Sequence, residues 1–332
     1  MTNGAPYQSR FEQTSLGVLV FLTALLYCMA FCVPTPRLSV FAPPPSALEG
    51  EARPQPVIFL TLSTLLPPMP ERLSARALQT VFEQWEYSLE SVADGMRQVP
   101  PLHVQAIPGD MQHIPDSVER KDLFLRLMLP LILQVNDEIL SERRRLIALR
   151  RQMGRGMPLS WDENEWLAER FAHYRIAPTE SIERLLLHVD IIPPSLALAQ
   201  AAMESGWGTS RLARRRNVLF GQTTTGEDLE SVAVKDAGKR VIYYKTFATP
   251  VDAVRGYVRN LNSHAAYASF RRVRAEKRTS GVPLTGEGLV ENLENYAEMA
   301  KYTRNLQRVI HSSDLGDLDE ATLAIRTDVL RF

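Results

Sequence analysis

The chain reads as mainly α (α+β), with one small β-hairpin lobe, preceded by an N-terminal membrane segment. Three observations predict this. Apolar residues recur at helical spacing through most of the chain beyond residue 116. One short stretch, residues 232–244, instead reads as two strands about a turn. One uncharged apolar run, Leu16–Val33, lies near the start. With 332 residues the chain can bury a sizeable core in one or two domains.

Residues 1–15 are expected to be a cytoplasmic N-terminus and 16–33 a transmembrane signal anchor. A cleavable signal peptide is the rival, but no Ala-x-Ala site follows, and Tyr27 and Phe31 precede the cysteines where a lipoprotein signal needs a small residue. A buried soluble helix is the third option. Residues 34–115 read as a Pro-rich linker and a segment that is hard to place. Pro43-Pro44-Pro45 and Pro67-Pro68 make an extended, partly stiff tether. Residues 71–92 within it look helical.

Asp116 to about Met153 is the clearest amphipathic helix, carried by Val118, Leu123, Leu127, Leu131, Ile132 and Ile139. Pro130 is expected to kink or divide it. Its later arginines, Arg143, Arg144, Arg145, Arg150 and Arg151, read as a solvated face. Short helices follow at 161–174 and 181–189, without a clean capping box around Thr179 or Ser181. Pro193-Pro194 starts the next helix. Thr223 to Glu230 reads as a polar loop, and Val232–Val234 with Arg240–Tyr244 as a hairpin around Asp236-Ala-Gly-Lys239. Thr249-Pro250 starts a helix with the stripe Val251, Val254, Tyr257, Val258 and Leu261. Leu289, Leu293, Tyr296 and Ala300 open a last long helix to about Ile310, and 313–332 is a C-terminal tail.

Composition excludes several classes. Lys and Arg total 38 and so do Asp and Glu, so no basic excess argues for nucleic acid. Both cysteines, Cys28 and Cys32, lie in the apolar run, so the rest of the chain can form neither an internal disulfide nor a thiolate metal site. The 6 histidines show no ligand spacing, and no metal or cofactor is expected.

The chemistry concentrates in Ala197–Ser210. Alanines at 197, 199, 201 and 202 favour helix and allow close burial. The helix delivers one carboxylate, Glu204, to a turn where Gly206 can cap in the left-handed region and Gly208 adds a second hinge. Trp207 can set an aromatic wall near the acid. A carboxyl beside an apolar wall holds its proton more tightly, as a glycosidase general acid requires. On composition alone a solvated helix-end glutamate and a core tryptophan would serve as well. Ser205 lacks a histidine arrangement and is rejected as a nucleophile.

The run Pro194–Ala213 around Glu204-Ser-Gly-Trp-Gly208, followed by Asn217-Val-Leu-Phe-Gly221, resembles the signature of the peptidoglycan glucosaminidase family of flagellar and autolysin-type enzymes, and most closely its Bax-type members. Asn260-Leu-Asn-Ser-His264 with Tyr267, and Leu129–Leu133 with Asn136, add to it over roughly residues 115–312.

The resemblance implies a lysozyme-like helical domain at 116–312. It implies hydrolysis of the GlcNAc-β-1,4-MurNAc bond of peptidoglycan glycan strands. With the anchor read at 16–33, the chain is expected in the inner membrane, single-pass, with its catalytic domain in the periplasm. Any cell-wall protein partner is unknown. Glu204 is then the general acid. A second carboxylate is sought among Glu227, Asp228, Glu230 and Asp236, with Glu230 favoured because it directly precedes a strand. A route assisted by the substrate's own N-acetyl group would need none of them. Tyr296 matches the family's cleft tyrosine, although a core role serves equally. Trp207, Phe220 and Gly221 are the expected substrate-binding residues. A muramidase or lytic transglycosylase of the same fold, and an idle peptidoglycan-binding scaffold, are the alternatives.

Overall fold

The computed structural model describes residues 74–332 apart from 97, 226–229, 236–240, 294–299, 325–329 and 332. The expected membrane segment at 16–33 and the first part of the linker lie outside the described residues. Among those described, no helix is long and apolar enough to cross a membrane.

The elements are α1 (Ala75–Gln84), α2 (Leu89–Ala93), β1 (Leu102–His103), α3 (Ser117–Gly154), α4 (Trp161–His173), α5 (Ile182–His188), α6 (Pro194–Ser205) and α7 (Arg211–Arg216). They continue as β2 (Thr223–Thr224), β3 (Ser231–Lys235), β4 (Val241–Lys245), α8 (Pro250–Ser263), α9 (Ala268–Thr279), α10 (Glu287–Val290), α11 (Ala300–Ser312) and β5 (Leu330–Arg331).

Helix α6 is the centre of the core. Its alanines 197, 199, 201 and 202 and its leucines 196 and 198 are all fully buried. Side chains this small let α3, α11 and the 3-10 turn Leu315–Leu318 close on α6 together. Asp319 fixes its N-terminus by accepting from the backbone N–H of Ser195 at 2.8 Å and from its hydroxyl at 2.7 Å. The first of these occupies a backbone donor that the first turn of a helix leaves without a partner.

Helix α3 runs its 38 residues through Pro130 as one element, so the expected division does not occur. A proline there leaves the carbonyl four residues back, at Arg126, without its helical donor. The buried hydroxyl of Tyr87 donates to that carbonyl at 3.2 Å. The donor comes from the connection between α1 and α2, inside the region that the sequence left hard to place.

That region is no linker from residue 74 onward. Leu78, Phe82, Tyr87, Val99, Leu102, Val104, Ile107 and Met111 join the main core. The tail is likewise built in: Leu315 and Leu318 are buried there, and β5 pairs in parallel with β1, Leu102 opposite Leu330. The folded unit therefore extends beyond 116–312 at both ends. A second core under the far half of α3 joins Leu146 and Leu149 to Phe171, Tyr174, Leu185 and Leu186 of α4, α5 and their connections. The capping box absent near Ser181 occurs earlier: Ser160 accepts from Glu163 N–H at 3.2 Å and Glu163 accepts from Ser160 N–H at 2.8 Å.

The hairpin is present as β3 and β4, with Val232 opposite Tyr244. Thr223–Thr224, expected in a loop, adds a short third strand on the other edge of β4, giving the order β2-β4-β3. The single last helix is replaced by the short α10, a turn at Glu291 and Asn292, and α11 from Ala300.

Candidate active site around Glu204

Three consecutive left-handed residues follow α6: Gly206 at φ 59°, Trp207 at 58° and Gly208 at 74°. Two of the three are glycine, which adopts this region without the Cβ penalty. The turn is braced by Ser205, whose hydroxyl donates to the Ala201 carbonyl at 2.6 Å and accepts from Gly208 N–H at 2.9 Å. That is a structural use for the serine of Glu-Ser-Gly. Gly208 also has no room for a side chain, since a Cβ would lie 2.9 Å from Cδ2 of Phe124.

The turn leaves Glu204 half-buried at the floor of a cleft of about 670 Å³. The sheet lines one part of it through Thr223, Thr224, Ile242, Tyr244 and Lys245. Helix α8 and the turn after it contribute Asn260, Ser263, His264 and Tyr267, the block singled out in the sequence. Gly221, Gln222, Arg175 and Arg259 line it as well.

Gly221 is tied to the acid by geometry. Its φ is +61°, and a Cβ there would lie 2.6 Å from Oε2 of Glu204. Asn217, four residues earlier, holds this loop down: its Nδ2 donates to the carbonyls of Phe247 and Ala248, each at 3.0 Å.

A directed chain of hydrogen bonds ends on Glu204. The Tyr257 hydroxyl donates to Oε1 of Gln200 at 2.6 Å. Nε2 of Gln200 donates to the Tyr302 hydroxyl at 3.1 Å. The Tyr302 hydroxyl donates to Oε1 of Glu204 at 3.1 Å. Burial raises the Glu204 carboxyl above its ordinary pKa, and the Tyr302 hydroxyl pulls part of the way back. One carboxyl oxygen is thus oriented by the protein, while the other lies against Gly221 at the cleft.

The other expected site residues fall in different places. Trp207 is not part of the described cleft lining. Its ring packs edge-on against Phe124, centroids 6.2 Å apart, under the Lys121 ammonium at 5.0 Å. Among the described residues, Gly221 and Tyr302 are the close neighbours of the Glu204 carboxyl. Phe220 is buried and stacked on Tyr257 at 4.1 Å, so it supports the relay from beneath rather than facing the groove. Glu230 is exposed, and its carbonyl accepts from Thr246 N–H at 2.7 Å. It is not among the described lining residues, because β4 rather than β3 borders the cleft. Tyr296, Glu227, Asp228 and Asp236 lie outside the described residues.

Two site residues escaped the sequence reading. Gln200 had a usable signal: it is the lone polar residue in the apolar run of α6 and stands one turn before Glu204 on the same face. Tyr302 had only its place six residues beyond Tyr296, on a helix whose start was misjudged.

Residues 180–315 match the glucosaminidase family, described as mannosyl-glycoprotein endo-beta-N-acetylglucosaminidase. The chain is 35% identical over 198 residues to Protein bax of Escherichia coli (strain K12), a match covering 59% of this chain and 70% of that protein. The chain belongs to the glucosaminidase family of glycoside hydrolases, as a Bax-type member. Among solved structures it is similar to the glycoside hydrolase domain of Salmonella typhimurium FlgJ, with 21% identity, 46% of this chain and 88% of that one covered, and a TM-score of 0.29. It is also similar to the catalytic domain of the autolysin Auto from Listeria monocytogenes, at 17% identity, 52% and 97% coverage and a TM-score of 0.31.

Proposed function

We propose that the protein hydrolyses the GlcNAc-β-1,4-MurNAc bond of peptidoglycan, with Glu204 as general acid. The observation that carries this reading is the state of the Glu204 carboxyl. It is half-buried on the floor of an open cleft, raised in pKa by burial, and held through Oε1 by Tyr302. A carboxyl so placed, when it carries its proton, can protonate the departing glycosidic oxygen. The hydroxyls and amides of Thr223, Thr224, Asn260, Ser263 and Gln222 suit the hydroxyl-rich edges of a sugar chain.

For the second step, Glu230 is exposed outside the described lining, and Glu204 is the only carboxylate among the described lining residues. This favours attack assisted by the substrate's N-acetyl group over a nucleophile at Glu230. We place the protein at the inner membrane, anchored by 16–33 with the catalytic unit in the periplasm, where its substrate lies.

Reducing-end analysis of digested sacculi tests the bond. New N-acetylglucosamine ends support the proposal. Muramic ends mean a muramidase, 1,6-anhydro ends a transglycosylase, and intact glycan a binding scaffold.

A further inference from the structure

We infer that the cleft contains a carboxylate subsite, formed by Arg175 and Arg259, that takes the anionic substituent carried by the muramic residue. The inference rests on the glycan-hydrolase reading above and names the part of the substrate that the cleft selects.

The described lining holds three full cations, Arg175, Lys245 and Arg259, against one carboxyl, Glu204. Among the described residues, the hydrogen bond that holds the Glu204 carboxyl comes from Tyr302 and not from any of these cations.

Neither Arg175 nor Arg259 is paired with a described acid. The contrast with Arg255, one turn earlier on α8, is direct. Arg255 is clamped by Glu138 at 2.7 Å and Asp252 at 2.9 Å. Arg259 projects from the same helix into the cleft without such a clamp. Burial first, and then the charge of Arg259, hold the pKa of the half-buried His173 down to about 4. Arg175 ends the turn after α4 at φ 56°, a left-handed position that glycine or asparagine would occupy at lower cost. The strained backbone carries an exposed guanidinium to the cleft.

The chemistry of the substrate fits. The sugar chain of peptidoglycan is itself neutral. Its negative charge sits on the lactyl ether of the muramic residue, as a free carboxylate or extended by an amide bond into an acidic peptide. A planar guanidinium matches a carboxylate in bidentate geometry. The exposed site gives modest energy per charge, so the pair contributes selection and encounter more than deep affinity.

The test uses the full chain and the double variant Arg175→Gln/Arg259→Gln, with Arg175→Lys/Arg259→Lys as the charge-retaining control. Three substrates are compared: intact sacculi, glycan stripped of peptides by an amidase, and stripped glycan whose lactyl carboxylates have been converted to methylamides. The Gln variant should raise KM by about three- to tenfold on an anionic substrate, with the effect on KM rather than kcat. The difference should shrink as salt rises from about 50 mM to about 500 mM, and the Lys control should recover most of it. It should vanish on the methylamide glycan. A difference on the stripped glycan alone assigns the ligand as the lactyl carboxylate, one on intact sacculi alone assigns it as the peptide, and one on both shows that the subsite takes either carboxylate. Equal KM values for variant and wild type on both anionic substrates, or an equal loss on the methylamide glycan, overturn the subsite. If the wild type cleaves none of the three, the hydrolase reading has failed. Co-sedimentation of both proteins with intact sacculi then decides the subsite separately.

Discussion

The Tyr302 hydroxyl donates to Oε1 of Glu204 at 3.1 Å across 98 positions of sequence, and this bond orients one oxygen of the acid. Tyr302 in turn accepts from Gln200 at 3.1 Å. The bond favours the ionised form and so opposes the upward push of burial on the Glu204 pKa.

Tyr302→Phe should therefore lower the maximal rate and move the alkaline limb of the pH–rate profile to higher pH. The acid must be protonated to act, and without the hydroxyl it holds its proton more tightly. An unchanged profile would show that the bond plays no part in setting the acid.

Gly221→Ala should remove activity by about a hundredfold or more, because its Cβ would displace Oε2 of Glu204. The left-handed φ adds roughly 1–2 kcal/mol of backbone strain. Steady-state rates and thermal melts together separate the two effects. A soluble, folded Gly221→Ala protein with wild-type rates would show that the carboxyl is not held against this loop.

The Tyr87 hydroxyl serves the carbonyl that Pro130 leaves open, so the two residues are coupled. Tyr87→Phe should cost about 1–2 kcal/mol. In a Pro130→Ala background the cost should fall, since the substituted alanine returns a helical N–H to the Arg126 carbonyl. A denaturant double-mutant cycle reads the coupling, and strict additivity would contradict it.

Much of the fold was legible because its signals are local. The stripe from Val118 to Ile139, the Pro-started helices and the hairpin each depend on neighbours in sequence. The continuity of α3 through Pro130 was not legible, because Tyr87, which serves the carbonyl the proline leaves open, lies on a distant stretch of the chain that no periodicity links to it. The role of 74–115 was hidden for the same reason: its many prolines break up the pattern, while its apolar residues fill the core. At the site, the helix end and glycine turn that present Glu204 were readable locally, while the choice of Glu204 as the acid and of Gly221 as a cleft residue came from the resemblance. Trp207 was not, since the left-handed backbone at 206–208 turns its ring toward Phe124, a direction that only the folded chain reveals.

Asp190 ties α3, α9 and the segment before α6 together through Arg143, Arg274 and Arg278, with Arg278 at 2.6 Å. Burial alone would raise its pKa, but the Arg278 hydrogen bond and the charges of Arg274 and Arg143 outweigh it and hold the carboxyl below its ordinary value. Its contribution to stability is therefore present above the unfolded pKa and lost as pH falls through the folded one. Asp190→Asn should destabilise by about 3–5 kcal/mol at neutral pH, because the fully buried Arg274 loses its counter-charge. Urea melts across acid to neutral pH check this, and the gap from wild type should narrow toward acid.

The most direct test of the account is turnover of sacculi by Glu204→Gln beside the wild type, with melting temperatures measured across pH. Glutamine keeps the shape but carries no transferable proton, so cleavage should fall by about a hundred- to ten-thousand-fold. The wild-type carboxyl has a raised folded pKa, so the stability it confers is complete below its unfolded pKa and is lost as pH rises through the folded value. The variant, neutral throughout, should melt progressively higher than the wild type as pH rises. A folded Glu204→Gln protein that digests sacculi at the wild-type rate would contradict the assignment of Glu204 as the acid.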